Sequence, residues 1–407
     1  MTANLRDRLK RIQEQKKDEK ESEKKPPEVS FDLSAFLDGG WDNCGYQVLR
    51  RDVFADAPFK PKGALPSALA VVVPDLAGRP LPPAADFLFF DLETTGLSGG
   101  AGTIAFLAAF GRIVQEKRFR ITQYLLLDYP GENDFLDAVL NEFKDKSSVI
   151  VTYNGKCFDS QILKTRCLMN RIKPPEYYHA DLLHPARRLW KNVIFDCSQS
   201  SIETRILGID RSGDIPGALA PEIWFEFLKT GRGERLLGIC EHNLSDITGL
   251  SSILAAMINI AADPLDAEQY RYDVERLALY WRDFSLRERA CGGGGFADLR
   301  TTGDRLLRLA ADKNNPRAAL IYALDQLRSG NCEEGQGRLE LIAEASFPEH
   351  IRAAALRTLA IDSERRLKCL QRARDFVQRG LKLSAGSVWR MDFEKRKERL
   401  EKKLLPC

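Results

Sequence analysis

The stretch FLFFDLETTGL, residues Phe87–Leu97, defines the centre of this 407-residue chain. Its first part, Phe87–Asp91, is an apolar run with the length of a buried strand. Side chains two positions apart on a strand point to the same face. Asp91 and Glu93 therefore share one face, while Leu92 points the other way, into the core. The stretch predicts a central strand that carries two carboxylates able to reach one cation.

The segments that follow predict a mixed sheet. Thr103–Gly111 and Phe119–Leu127 read as two further strands, and three strands in succession indicate an antiparallel meander. Asp134–Phe143 has apolar residues at helical spacing. Val149–Tyr153 is then a fourth strand, and it is expected to run parallel to the first because a helix separates the two.

Two helices complete this region. Asp159–Met169 and Leu236–Ala262 both have apolar residues at helical spacing. The order of three strands, helix, strand and helices is that of a ribonuclease-H-like mixed sheet flanked by helices, which is an α/β fold.

After Ala262 the strand patterns end and helical patterns follow one another. Seven helices are expected, over Ala267–Ala290, Thr302–Ala311, Pro316–Ser329, Cys332–Ala345, His350–Ile361, Glu364–Leu381 and Gly386–Leu405. A degenerate array of tetratricopeptide-like hairpins and a plain helical bundle fit this pattern equally well.

The chain is therefore expected to have four parts. Residues 1–27 are a charged, flexible tail, and residues 28–84 are an irregular N-terminal lead-in. Residues 85–262 form the ribonuclease-H-like domain, and residues 263–407 form an all-α, helical-repeat-like domain.

The composition limits the class of protein. Hydrophobic residues make up 44%, charged residues 29%, and the net charge is +3, so any nucleic-acid surface must be a local patch. We find no signal sequence and no apolar run that would span a bilayer, so no membrane partner is expected. Nine scattered cysteines without a Cys-x-x-Cys pair favour the reducing cytoplasm.

Two further carboxylates extend the acidic pattern. Asp159 follows a strand and begins a helix, and Asp246 lies on the long helix. Carboxylates within a few ångströms of one another repel strongly unless cations neutralise them. Oxygen ligands without cysteine favour Mg²⁺ or Mn²⁺ over zinc. We therefore expect two such ions, bound by Asp91, Glu93, Asp159 and Asp246.

This set of carboxylates indicates a two-metal hydrolysis of phosphodiesters. Asp91, Glu93 and Asp246 would hold the ion that carries the attacking water, while Asp91 and Asp159 would hold the ion at the departing 3′ oxygen. His242 lies one helical turn from Asp246 and would orient or deprotonate the water, the alternative being a helix-surface residue near the site.

Four residues beside the carboxylates are expected to contact the substrate or to hold the loops around it: Thr94, Thr95, Asn154 and Lys156. Thr94 and Thr95 would anchor the backbone or touch the substrate just beyond the strand. Asn154 would hold its loop or touch the terminal nucleotide. Lys156 would contact a phosphate or remain a solvated cation.

These motifs resemble those of the DEDD-type 3′–5′ exonucleases of the ribonuclease-H-like superfamily. DLETTGL, from Asp91 to Leu97, is similar to the first motif of proofreading subunits. TYNGKCFD, from Thr152 to Asp159, looks like the second exonuclease motif of family B DNA polymerases. The His242-x-x-x-Asp246 spacing is that of the tyrosine-type subgroup, with histidine in place of tyrosine.

Over roughly residues 86–262 the chain also resembles YprB-like bacterial proteins with a ribonuclease-H-like domain. Asp181–Trp190, Asp214–Gly217 and Glu241–Asn243 carry this resemblance. It extends more loosely into the C-terminal region, where such proteins carry tetratricopeptide-like helices. The resemblance implies an exonuclease that acts on a DNA or RNA 3′ end.

We therefore expect a metal-dependent nuclease, and specifically a 3′–5′ exonuclease. One alternative is a structure-selective endonuclease that uses the same metal ions. Another is a non-cleaving nucleic-acid-binding scaffold whose helical domain recruits a protein partner. Four mutually repelling acids argue against the scaffold, because a silent fold has no need of them.

Overall fold

The computed structural model describes residues 31–57, 65–96, 100, 102–114, 118–145, 147–265, 268–290, 296–383 and 387–404. The charged tail predicted at 1–27 lies outside these residues. The described residues divide into two compact units, the first comprising those within 1–61, 82–179 and 211–251 and the second those within 62–81, 180–210 and 252–407. The four-part division expected from the sequence stays a prediction.

The described strands form one mixed sheet in the order β1-β2-β5-β4-β3-β6-β7. Their bounds are β1 Asp42–Gly45, β2 Val48–Asp56, β3 Phe87–Thr94, β4 Ala105–Val114, β5 Arg118–Leu126, β6 Val149–Thr152 and β7 Tyr178–Asp181.

The described helices follow in chain order. They are α1 Ser34–Asp38, α2 Leu69–Val72, α3 Glu132–Glu142, α4 Asp159–Met169, α5 Leu183–Trp190, α6 Gln199–Ile202, α7 Ala220–Thr230, α8 Glu234–Ala262, α9 Val274–Ala290, α10 Phe296–Asp312, α11 Pro316–Arg328, α12 Cys332–Glu344, α13 Glu349–Arg365, α14 Leu370–Leu383 and α15 Ser387–Leu404.

The central strand β3 confirms the predicted pairing. It pairs antiparallel with β4 and parallel with β6, where Phe87 lies opposite Val149. On one face, Phe90 stacks on Phe110 at a ring-centroid distance of 5.0 Å, and Phe143 packs edge-on against both rings. These apolar contacts leave the opposite face of β3 to carry the acids.

The prediction of an irregular lead-in at 28–84 is wrong for residues 42–56, because they form β1 and β2. Strand β2 pairs antiparallel with β5 along its whole length. Its sequence, VLRRDVFAD, is rich in charge and lacks the alternation that marks a half-buried strand. Arg51 is nevertheless buried, because a polar partner on β5 accepts its hydrogen bond.

Helix α8 lies close against the acid-bearing face of the sheet. Gly111 on β4 permits this approach, since a Cβ atom there would lie 2.6 Å from Cγ2 of Ile247 and would also clash with the ring of Phe119. One turn before Ile247, Asn243 bonds to side chains of β3 and β5. The position of α8 is thus set both by packing and by hydrogen bonds.

The C-terminal region is helical, as predicted. From α9 to α15, each helix packs on the next one along the chain. The buried carboxylate of Glu364 at the end of α13 accepts hydrogen bonds from Arg396, Arg399 and Lys403 of α15. Such sequential packing suits an array of helical hairpins, and the tetratricopeptide-like character stays a prediction.

Helix α8 bears on the expectation that no apolar run spans a bilayer. By length and composition alone it is long and apolar enough to cross a membrane. Within its most apolar window, 67% of the residues are buried inside the protein, as they are in a core helix. The length of α8 is therefore weak evidence for a membrane.

Candidate metal centre

Three side chains from β3 and α8 form the core of the site. Ligand atoms of Glu93, His242 and Asp246 all lie within 4.8 Å of one another. Nε2 of His242 lies 3.3 Å from Oδ2 of Asp246 and 3.9 Å from Oε1 of Glu93. His242 and Asp246 are one helical turn apart and face the sheet together. The structure thus brings together three of the five predicted catalytic residues in one cation-sized cluster.

Asp91 lies beside this cluster and is held by α8. Its Oδ2 accepts a hydrogen bond of 2.7 Å from Nδ2 of Asn243. Burial and the charge of Asp246 raise the pKa of Asp91 to about 7, although the bond from Asn243 opposes the shift. The carboxylate of Asp91 is therefore electrostatically coupled to the acid that comes from α8.

Glu93 feels the other acids as well. Burial raises the pKa of Glu93 well above its ordinary value, and the charges of Asp91, Asp246 and Asp159 raise it further. Asp159 is the first residue of α4, as predicted, and its side chain is buried. The charge of Asp159 thus contributes to the raised pKa of Glu93.

Two residues that the sequence analysis did not select complete the cluster. Nη2 of Arg211 lies 2.6 Å from Oδ1 of Asp246 and 2.5 Å from Oδ2 of Asp214. Asp214 belongs to the Asp214–Gly217 stretch that carried the family resemblance, and that stretch was the signal available for it. Nothing in the sequence pattern pointed to Arg211.

His242 is held between several carboxylates. Its Nδ1 lies 2.9 Å from Oδ1 of Asp214, so Nε2 is the nitrogen that faces Glu93 and Asp246. A Cβ atom on Gly217 would lie 2.9 Å from that Nε2, so a larger residue there would displace the ring.

The charge state of His242 bears on its predicted role. Burial lowers its pKa, but the hydrogen bond and charge of Asp246, the charge of Glu93 and the bond to Asp214 raise the pKa to about 9. Without cations the ring is therefore protonated at neutral pH. A role as general base requires cations to neutralise Glu93 and Asp246 first.

The loop residues of the predicted set have structural contacts. Oγ1 of Thr94 donates to the carbonyl of Gly96, and Oγ1 of Thr95 accepts from the backbone N–H of Ile104. Asn154 adopts a left-handed φ of 66°, and its carbonyl accepts from the N–H of Cys157. Thr94, Thr95 and Asn154 thus hold the loops, and their contact with substrate stays a prediction.

Lys156 lines a cleft whose lining also includes Ser160, the residue after Asp159. The cleft has a volume of about 390 Å³, and its lining includes Lys164, Tyr177 and His179 but no carboxylate. His179 is fixed there by Thr152, whose Oγ1 lies 2.8 Å from its Nε2. The cleft therefore places two lysines in one lining, Lys156 and Lys164.

The donor set fits divalent cations. Three carboxylates belong to the cluster, those of Glu93, Asp214 and Asp246, and the charges of Asp91 and Asp159 add to them, whereas one guanidinium and one imidazole oppose them among the described residues. Even with His242 protonated, negative charge remains in excess in a largely buried place. Oxygen donors with one imidazole and no thiolate suit Mg²⁺ or Mn²⁺.

Comparison with known proteins agrees with this geometry. Residues 88–258 match the family model described as RNase_H superfamily. This part of the chain is therefore a ribonuclease H superfamily domain, and the predicted ribonuclease-H-like α/β fold is confirmed.

The resemblance to YprB-like proteins is also confirmed over part of the chain. The uncharacterized protein YprB of Bacillus subtilis (strain 168) is 42% identical to the chain over 175 residues. The match covers 42% of this chain and 42% of YprB. The chain thus spans less than half the length of this curated relative.

Two solved structures are similar at a lower level. The family B DNA polymerase from the hyperthermophilic archaeon Pyrobaculum calidifontis is 16% identical, covering 50% of this chain and 30% of its own, with a TM-score of 0.33. The zinc-bound complex of E. coli ExoI with ssDNA is 17% identical, covering 51% of this chain and 44% of its own, with a TM-score of 0.25. Similarity at this level indicates neither activity nor substrate.

Proposed function

We propose that this protein is a divalent-cation-dependent nuclease that removes nucleotides from the 3′ end of DNA or RNA. The observation that carries the proposal is the convergence of carboxylates from β3 and α8 around His242. Acids from distant parts of the chain raise one another's pKa there, so repulsion between these carboxylates destabilises the folded state. Such a cost is typical of a functional site.

The residues of the site have separate tasks in this proposal. Asp91, Glu93 and Asp246 would hold one cation, and Asp91 and Asp159 would hold a second. Bound Mg²⁺ or Mn²⁺ would supply an activated water and stabilise the departing oxygen of a phosphodiester. His242 would exchange a proton at Nε2, because Nδ1 is tied to Asp214.

Arg211 would leave only one carboxylate oxygen of Asp246 for a cation. Its guanidinium engages Oδ1, whereas Oδ2 faces Nε2 of His242. The second oxygen is therefore the one directed toward Glu93 and the cation. Arg211 also lowers the net charge that the cations must neutralise.

The partner of the site would be nucleic acid. Lys156 and Lys164 line one cleft together with Ser160, the residue after Asp159, which supports contact with a phosphate backbone. A cytoplasmic location, the absence of a membrane partner and a protein partner of the helical region remain predictions from the sequence.

The test uses purified Asp91→Asn with Mn²⁺ and end-labelled single-stranded DNA and RNA. Asp145→Asn is the matched control, because Asp145 is an exposed acid of the same unit, bonded to Ser147. The wild type should shorten 5′-labelled strands from the 3′ end. Asp91→Asn should be at least about 100-fold slower, which corresponds to about 3 kcal/mol of transition-state stabilisation.

Full activity of Asp91→Asn would contradict the proposal. Circular single-stranded DNA separates the remaining alternatives, since an exonuclease cannot begin on a strand without an end. Cutting of the circle would favour a structure-selective endonuclease. Binding of oligonucleotides without cleavage by the wild type would favour the scaffold.

A further inference from the structure

A line of buried polar side chains connects β2 with Asp91. Nε of Arg51 donates to Oε1 of Gln123 at 2.7 Å, and Nε2 of Gln123 donates to Oδ1 of Asn243 at 2.9 Å. Nδ2 of Asn243 then donates to Oδ2 of Asp91 at 2.7 Å. Three consecutive hydrogen bonds thus join a strand outside the predicted catalytic domain to the acidic cluster.

The direction of these hydrogen bonds follows from the two ends of the line. The guanidinium of Arg51 can only donate, so the oxygen of Gln123 must face it. The NH₂ group of Gln123 also lies 2.8 Å from the carbonyl of Cys240, which can only accept. Gln123 therefore presents a donor to Asn243, and Asn243 in turn presents its own donor to Asp91.

The sheet register places these groups in one row. Asp91 lies opposite Ala109, Ala109 opposite Gln123, and Gln123 opposite Arg51. Ala109 lies between Asp91 and Gln123 in this row, and Asn243 of α8 bonds to both of these side chains. Gln123 and Asn243 are fully buried and Arg51 is 7% exposed, so water does not compete for these bonds.

Arg51 is itself fixed from two sides. Its guanidinium carbon lies 4.8 Å from the ring centroid of Trp41, and its Nη2 donates to Oε1 of Glu241 at 2.8 Å. The outer end of the line is therefore held by a cation–π contact and by an ion pair.

We propose that Arg51, Gln123 and Asn243 are positioning residues that fix the rotation of the Asp91 carboxylate for cation binding. The proposal rests on the proposed function of the site. Asn243 engages one oxygen of Asp91, so the carboxylate meets a cation in a single orientation. Groups that orient metal ligands in this way typically change metal affinity or activity 10–100-fold when they are altered.

The first test reverses the direction of the hydrogen bond between residue 123 and Asn243 and leaves Asp91 unchanged. Gln123→Glu keeps the acceptor for Arg51 but removes the donor to Asn243. Its added negative charge would by itself strengthen cation binding, so weaker binding is specific to the lost donor. We expect the dissociation constant for Mn²⁺, measured by calorimetry, to rise about 10-fold or more.

A second pair of variants tests the outer end. Arg51→Lys keeps a group that only donates, whereas Arg51→Met leaves the amide of Gln123 free to rotate. We expect Mn²⁺ affinity within about threefold of wild type for Arg51→Lys and a loss of about 10-fold for Arg51→Met. Tyr124→Phe is the matched control, because it removes a partly buried hydrogen bond, to Glu142, from the residue next to Gln123.

The unfolding midpoint of the cation-free protein is recorded for each variant to separate binding from folding. Folded Gln123→Glu and Arg51→Met proteins that bind Mn²⁺ within threefold of wild type would overturn the inference. If Gln123→Glu does not fold, the two Arg51 variants decide.

A cation-free readout keeps this inference separate from the proposed function. The side-chain amide NMR signals of Asn243 should move in Arg51→Met, two links away, but not in Arg51→Lys or Tyr124→Phe. If the wild type binds no Mn²⁺, the proposed function fails. The NMR signals of Asn243 then remain as the test of whether the hydrogen bonds couple Arg51 to Asn243. Unmoved Asn243 signals in Arg51→Met would overturn it.

Discussion

Substitution of Gly111 by alanine should move α8 and disturb the candidate site without changing any of its residues. The added Cβ would lie 2.6 Å from Cγ2 of Ile247. Carbon atoms pack at about 3.5–4.0 Å, so α8 must retreat by about 1 Å. Ile247 is β-branched and cannot rotate its methyl group away cheaply.

The expected losses of stability and cleavage rate follow from this displacement of α8. Overpacking of this kind costs about 1–3 kcal/mol, and a unit of this size loses about 2–4 °C of its unfolding midpoint per kcal/mol. His242, Asn243 and Asp246 lie on the same helix and would shift relative to Asp91 and Glu93. A misplacement of about 1 Å can lower a rate about 100-fold.

The assay measures the unfolding midpoint and the Mn²⁺-dependent cleavage rate of Gly111→Ala. The control is Gly337→Ala on α12, where an added Cβ meets no atom within 4 Å. That control should leave cleavage unchanged. The double variant Gly111→Ala/Ile247→Ala relieves the contact with α8 but not the contact with the ring of Phe119, so it should recover part of the activity. A Gly111→Ala protein with wild-type midpoint and cleavage rate would refute the reasoning.

Three further predictions concern the site and the helical region. Gly217→Ala should slow cleavage about 10-fold or more with little change in the unfolding midpoint. The added Cβ would lie 2.9 Å from Nε2 of His242 and would push the ring away. A wild-type cleavage rate would contradict this prediction. The cation-free protein should lose stability as the pH rises from about 4 to 9. Folding raises the pKa of Asp91 from 3.8 to about 7 and that of His242 from 6.5 to about 9, so the folded state binds more protons across this window. Thermal melts at pH 5 and pH 8.5 check the slope, Mn²⁺ should reverse it, and a midpoint that rises with pH without cations would be evidence against the coupled acids. Glu364→Ala should destabilise the helical region by about 2–3 kcal/mol, because Arg396 would remain buried without its carboxylate while Arg399 and Lys403 are screened by solvent. Mn²⁺ affinity measured on the same protein should not change, and a loss of affinity would contradict the assignment of Glu364 to structure alone.

Local patterns accounted for much of the fold. The apolar run before Asp91 predicted β3, and the helix expected at Asp159–Met169 has those bounds in the structure. The parallel pairing of β3 with β6 followed from the helix between them. These features depend on periodicity and connection rules, which act over short distances along the chain. Residues 42–56 escaped the same reasoning because a buried, hydrogen-bonded arginine has the sequence signature of a surface residue.

The candidate site divides in the same way. The two-residue period of a strand put Asp91 and Glu93 on one face, and the four-residue period of a helix put His242 beside Asp246, before any coordinates were known. The roles of Arg211 and Asp214, and the bonds from Arg51 through Gln123 and Asn243, depend on how β2, β5 and α8 pack together. A buried polar side chain finds a partner only where the packed strands and helix bring one within reach. How deeply the side chain is buried and which way it points cannot be deduced from neighbouring residues in the sequence.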